Sequence, residues 1–217
     1  MLEPLFSAIS KVDWNDLAAV EEANIALLDT LDEDRSLLAD LMARAASDAH
    51  LTSLSETLDH LDKIVLHDDP TGYRLRLHVF RLACADWPHS HRWSFTSRIL
   101  EGAYQHVLYE PDDGLDESID VASLRTLYRR TERKGDTYTI HHSTIHAALG
   151  QPGTVSLLVR GPSVKDRFLV TDPATGKAWW RYGAARENKT LVAAKSMSAE
   201  QLRAHVERFV ADAKKAA

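Results

Sequence analysis

The sequence predicts an all-β barrel or sandwich that carries a helical N-terminal segment and a C-terminal helix, so α+β overall. Three observations lead there. After Gly72 the hydrophobic period changes from about 3.6 to about 2. Short alternating runs then recur at regular spacing between turn signals, the pattern of a sandwich or barrel. Past Ser198 the helical spacing returns, through Leu202, Val206, Phe209 and Val210.

Taken in order, Asp13 or Asn15 can cap a first helix through Leu17, Val20, Ile25, Leu28 and Leu31. A second follows Asp34, with Leu37, Leu38, Leu41 and Met42 at helical spacing. The spacing predicts a third from Ser53 or Ser55 through Leu58, Leu61 and Ile64 to Leu66. Asp68-Asp69-Pro70-Thr71-Gly72 is a breaker, and the boundary of the helical segment is placed there. Strands are expected over 73–85, 92–100, 103–110, 123–131, 136–141, 145–149, 154–160, 167–171 and 177–182. Glycine- and proline-bearing turns separate them. An acidic loop at 111–120 joins two strands. The expected units are 1–70 as helices packed on the barrel, 71–185 as the barrel, and 186–217 as the closing helix.

Composition narrows the function. A length of 217 residues suits one decorated domain, and 44% hydrophobic residues can form a buried core. A net charge of −6 argues against a nucleic-acid partner, since no basic excess exists to displace counterions. The basic run 125–134 reads as a solvated strand face. One cysteine, Cys84, rules out an intrachain disulfide and suits a cytoplasmic protein. The start Met1-Leu2-Glu3-Pro4 lacks a signal-peptide pattern, and no apolar run approaches a membrane span. A monomer or homodimer is expected. The 11 histidines stand out; histidine is the commonest metal ligand and a proton shuttle near neutral pH.

His89-Ser90-His91 carries the chemistry. It follows one strand and opens another, in Cys84-Ala85-Asp86-Trp87-Pro88-His89-Ser90-His91-Arg92-Trp93. Histidines at i and i+2 on a strand project from one face, so both rings can reach one metal at about 2.0–2.2 Å. A glycine turn at Gly102 and a later histidine, His146, complete the pattern. Trp87, Pro88 and Trp93 are expected to wall the pair from water.

With these residues the sequence resembles the cupin superfamily over about 73–182. Its first motif has His-x-His followed by a glutamate and a glycine, and its second supplies another histidine. His89, His91 and Gly102 match the first motif and His146 the second. The resemblance implies an all-β cupin-type double-stranded β-helix, or jelly-roll barrel, with His89, His91 and His146 as metal ligands. Phe95 or Thr96 occupies the usual glutamate position, which leaves three neutral imidazoles. That set is similar to the cysteine-dioxygenase group of thiol dioxygenases and implies Fe(II), with Zn, Mn or Ni as alternatives, and O2 as co-substrate. The run Val155 to Pro162 is similar to the strand after that group's third ligand, where Ser, His and Tyr alternate; here the positions hold Ser156, Leu158 and Arg160.

The expected site therefore has Tyr104 and Ser156 as catalytic candidates, with Arg160, Trp93 and Phe95 binding a small polar, carboxylate-bearing substrate. His142 can replace or supplement His146, its other reading being a turn residue. His106 lines the interior if its strand faces inward, and otherwise is structural or exposed, as is His141. Arg98 has the wrong parity to face the site. Of Arg74 and Arg76 against Leu75 and Leu77, one face meets the interior. Trp179 and Trp180 read as barrel core, Cys84 as a small buried hydrophobe, and Asp86 and Glu101 as solvated turn residues. Three functions fit: a three-His Fe(II) oxygenase, a non-redox metal cupin (isomerase, lyase or hydrolase), and a ligand-binding barrel without turnover. A 2-oxoglutarate oxygenase fits less well, because it calls for His-x-Asp/Glu.

Overall fold

The computed structural model describes residues 2–110, 116–183 and 186–216. Helices come first: α1 (Glu3–Ile9), α2 (Leu17–Glu33), α3 (Arg35–Ser47) and α4 (Ala49–Ser53). The strands are β1 (Glu56–Thr57), β2 (Leu61–Asp68), β3 (Arg74–Phe80), β4 (Cys84–Ala85), β5 (Phe95–Glu101), β6 (Ala103–Glu110), β7 (Arg125–Arg133), β8 (Thr137–Ile140), β9 (Ile145–Gly150), β10 (Val155–Arg160), β11 (Arg167–Asp172) and β12 (Lys177–Tyr182). Two helices close the chain, α5 (Lys189–Lys195) and α6 (Ala199–Ala216). The acidic loop expected at 111–120 lies in part outside the described residues.

Aspartates cap α2, α3 and α4. Asp16, rather than Asp13 or Asn15, caps α2 by accepting from the backbone of Ala18 and Ala19, and Asp34 does the same for α3. The third expected helix is not formed. α4 stops at Ser53, and 61–68 is a strand whose Leu61, Asp62, Ile64, Val65 and Leu66 are all buried. Burial on both faces produces an apolar run without alternation, and such a run is indistinguishable from a short helix by spacing alone.

All strand pairings are antiparallel. The first sheet runs β1-β2-β3-β10-β5-β8 and the second β4-β9-β6-β7. Residues 86–91 continue β4 between β9 and β11. Asp86 N–H donates to Ala148 O, His89 and His146 exchange backbone bonds at 2.9 and 3.0 Å, and Ser90 N–H donates to Leu169 O. In chain order from β3 to β10, one sheet holds the first, eighth, third and sixth strands, and the other holds the second, seventh, fourth and fifth. That order is the jelly roll.

Alternation then sorts the side chains. Leu75, Leu77, Val79, Val155, Leu157, Val159 and Leu100 face outward into a core shared with Leu27, Leu28, Leu31, Leu38, Met42 and, from α6, Leu202 and Phe209. The helices thus cover the outer face of the first sheet. Arg98 also points to this side, where it pairs with Asp29 and Asp32 of α2, each at 2.7 Å. The inner faces enclose a second core of Leu61, Phe80, Phe95, Ile99, Tyr104, Tyr138, Ile140, Ala148 and Leu158. Gly102 turns the chain from the first sheet to the second with φ +71°, and a Cβ there would lie 2.8 Å from Thr154 Oγ1. No described helix is long and apolar enough to cross a membrane.

Candidate metal centre

His89 and His91 sit on the segment between β9 and β11, and His146 on β9 beside them. The backbone exchange between His89 and His146 fixes the register that brings the three rings together. One ring nitrogen from each lies within 4.8 Å of the other two. His146 is buried and the other two are half-buried. Their ring centroids are 4.8–4.9 Å apart.

Hydrogen bonds assign the ring nitrogens. His89 Nδ1–H donates to Trp87 O at 2.7 Å, leaving Nε2 with its lone pair. His91 Nε2 and His146 Nε2 face each other at 2.7 Å. His146 Nδ1 meets His106 Nε2 at 2.9 Å, and His106 Nδ1 meets Glu132 Oε1 at 3.0 Å. Arg130 Nε donates to the same oxygen at 2.6 Å. The consistent assignment runs outward from the carboxylate. His106 Nδ1–H donates to Glu132, His106 Nε2 accepts from His146 Nδ1–H, and His146 Nε2 keeps a lone pair. This carboxylate–imidazole–imidazole chain fixes a ligand's tautomer and raises its basicity.

Electrostatics agree with three neutral rings. Burial pushes His89 down from the usual histidine range, and pushes His91 and His146 well below it. Glu132 is fully buried. Burial opposes its ionisation, but the bonds from His106 and Arg130 outweigh it and hold the carboxyl below its usual value. The set fits a divalent metal: three imidazole lone pairs converge, and no carboxylate in the group reduces the metal's charge. His89, His91 and His146 would hold the ion.

Phe95 stands 4.9 Å from the His91 ring and 5.7 Å from that of His146, and Trp93 lies 4.6 Å from His91. Together they wall the group on the side of the first sheet. Trp87 does not: it is 52% exposed and packs edge-on against Trp179. Its part is its carbonyl, which sets the His89 tautomer. Trp179 and Trp180 are half-buried on β12, the edge strand beyond β11; Trp180 packs against the small core of Ile119, Val121, Ile145 and Leu169, and Trp179 against Trp87.

Tyr104 faces inward, and its hydroxyl is bonded to that of Tyr138, whose ring packs 4.4 Å from His106. Burial and the neighbouring phenol push Tyr104 well above its usual value, so it stays protonated. Ser156 is buried on the inward row of β10, between His78 and Ile99. Arg160, two positions on, is 6% exposed and stands over Trp93 at 5.7 Å. His142 lies outside the triad, with its backbone holding His91 N–H and Lys165 Nζ, and its ring stacks on His141. Glu101 is half-buried and pairs with Arg208. Cys84, Asp86 and His60 form a second mixed cluster, with His60 Nε2 3.4 Å from Asp86. Burial, then Asp86, raises the Cys84 thiol, so it is not an activated nucleophile.

Glu132, Arg130 and Tyr138 were not visible in the sequence as site residues. Glu132 is the single buried position of β7, whose other residues are exposed. The only signal was its charge on a strand paired to the one bearing His106.

No protein-family model matches the chain, and no curated protein matches it. Among solved structures, KdgF from Halomonas sp. is similar over 51% of this chain and 88% of its own, at 17% identity and TM-score 0.38. An RmlC-like cupin from Shewanella frigidimarina is similar over 52% and 86%, at 18% identity and TM-score 0.38. Hydroquinone 1,2-dioxygenase PnpCD, solved with Cd2+ and 4-hydroxybenzonitrile, is similar over 47% and 64%, at 10% identity and TM-score 0.36. The strand order by itself makes the fold a jelly roll.

Proposed function

We propose that this chain is a metal-dependent enzyme of cupin type: a three-His, non-haem Fe(II) dioxygenase or oxygenase acting with O2 on a small carboxylate-bearing substrate. The observation that supports it is the convergence of three neutral imidazoles, with Phe95 packed against His91 and no carboxylate in the group. A divalent iron bound there supplies a redox couple and open coordination positions for oxygen and substrate.

The chain's own residues do the rest. Glu132 and His106 hold the proton on His146 Nδ1 and so leave Nε2 its lone pair. Trp93 and Phe95 exclude water from one side of the triad and face the substrate. Arg160 binds an acidic group of the substrate with its planar fork of donors. The ligand set resembles that of the cysteine-dioxygenase group, but Leu158 and Arg160 replace that group's His and Tyr. Proton handling passes to the protonated hydroxyls inside the barrel, Tyr104 through its pair with Tyr138, and Ser156.

The test is anaerobic reconstitution with Fe(II) followed by oxygen uptake, screened against thiols, amino acids and other carboxylic acids. Uptake that requires both Fe(II) and a carboxylate-bearing compound supports the reading. Turnover by the Zn, Mn or Ni form without oxygen would replace it with a Lewis-acid isomerase, lyase or hydrolase. Binding without turnover under every metal would leave a ligand-binding barrel.

A further inference from the structure

We propose that the inner face of the first sheet beside the triad is an anion-binding subsite centred on Arg76 and Arg160, and that the substrate carries a second acidic group that seats there. This rests on the metal-dependent reading above and adds to it a substrate class: a dicarboxylate, or a carboxylate bearing a phosphate.

Strand alternation places the cations. Leu75, Leu77 and Val79 are buried under the helices, so Arg74, Arg76 and His78 face the barrel interior, as do Ser156, Leu158 and Arg160 on β10. In register, Arg74 lies opposite Arg160, Arg76 opposite Leu158, and His78 opposite both Ser156 and Lys63. Three arginines and a lysine therefore share one patch with a histidine that burial keeps neutral.

The acids nearby do not neutralise it. Asp68 is taken by Arg74 and His50. Glu56, opposite Lys63 on the short β1, acts on both Lys63 and Arg76 but makes a salt bridge with neither. Arg76 makes no ion pair among the described residues, and its Nε is buried without a hydrogen-bond partner. The Nε of Arg160 and the Nε2 of His78 are buried and unpartnered as well. Arg160 spends Nη1 on the carbonyls of Gly72 and Gly161, which holds its guanidinium in place. Burial first, then the neighbouring arginines, pushes Arg160 down to about 8. A guanidinium resists giving up its proton, so a bound anion is the available relief. Buried donors without acceptors are costly, and like charges together more so.

Trp93 links this patch to the triad. Arg76 and Arg160 stand 6.0 and 5.7 Å from its ring centre, and the His91 and Phe95 rings lie 4.6 and 5.6 Å from it. A ligand spanning Trp93 would place one acidic group at the triad and the other on the arginines. With a dipositive ion on neutral ligands, one carboxylate leaves the interior positive and two acidic groups balance it better. The planar fork of arginine suits carboxylate and phosphate alike.

The test uses the full chain, metal-loaded and metal-free, with calorimetry and thermal melts at fixed ionic strength against malonate, inorganic phosphate and acetate. The expected result is that malonate or phosphate binds and raises Tm more than acetate does, and whichever of the two binds tighter identifies the acidic group. Arg76→Gln should weaken that binding about tenfold or more, keep the metal content, and leave the unliganded Tm unchanged or higher, because it removes repulsion. Arg76→Lys retains part of the affinity. Lys63→Gln gives a smaller loss and serves if Arg76→Gln does not fold. Normal metal binding with no response to either anion, or anion binding unaffected by these variants, overturns the subsite. Anion binding by metal-free protein, lost in Arg76→Gln, supports it even if the triad binds no metal, an outcome that would instead sink the reading above.

Discussion

Both ring nitrogens of His146 are committed, one to His106 and the other to the point where His91 also aims. A ligand fixed this way loses affinity when its outer partner goes. His106→Ala and Glu132→Gln are each expected to weaken metal binding by roughly 10- to 100-fold without removing a ligand. Competition against a chromophoric chelator measures this, and unchanged affinity would show that the chain of imidazoles is only packing. At this scale the sequence was informative where spacing carries geometry. His89 and His91 share a strand face, and His146 stands at the start of a later strand. His106 was legible only as a matter of parity. Glu132 was not, because seven exposed residues precede it on β7 and nothing local marks it as buried.

Strands and turns set the scaffold on which these residues meet. Gly102 is needed for its positive φ and for its closeness to Thr154. Gly102→Ala should therefore destabilise the fold by about 1–3 kcal/mol, read by denaturant unfolding; a loss near zero would mean that the turn can relax. The C-terminal helix is part of the main core and not an appendage, since Leu202 is fully buried against the first sheet's outer layer. Leu202→Ala is expected to cost about 2–5 kcal/mol, with a single cooperative transition. A separate early transition for α6 would contradict that. Most strands were legible, because alternation and glycine turns mark a sheet with two different faces. β2 was not, since it is buried on both. A run without alternation leaves only length and flanking residues to decide.

The whole molecule places helices on one side of the jelly roll and the three-histidine group inside it. No local pattern encodes which sheet the helices cover; that follows from long-range pairings such as Arg98 with Asp29 and Asp32. Several histidines are held neutral by this arrangement, and the sign of their effect on stability follows. Burial lowers His67, against the opposing pull of Asp69, and lowers His78 well below 6.5. Between the folded and unfolded values only the unfolded chain binds the proton. The histidine contribution to stability should be flat with pH above 6.5 and fall as pH drops below it. His67→Phe, which keeps the stack on Phe6 at 4.1 Å, should flatten that fall in a melt series. An unchanged slope would assign the acid sensitivity elsewhere.

The central claim is that His89, His91 and His146 together hold one divalent ion. The most direct measurement is a crystal structure of protein loaded with one equivalent of Fe(II) or Co(II), with anomalous data at the metal edge. The account predicts one strong peak about 2.0–2.2 Å from a ring nitrogen of each histidine, absent in His91→Ala. A peak at His60, Cys84 and Asp86 instead, or no ordered ion, would contradict it.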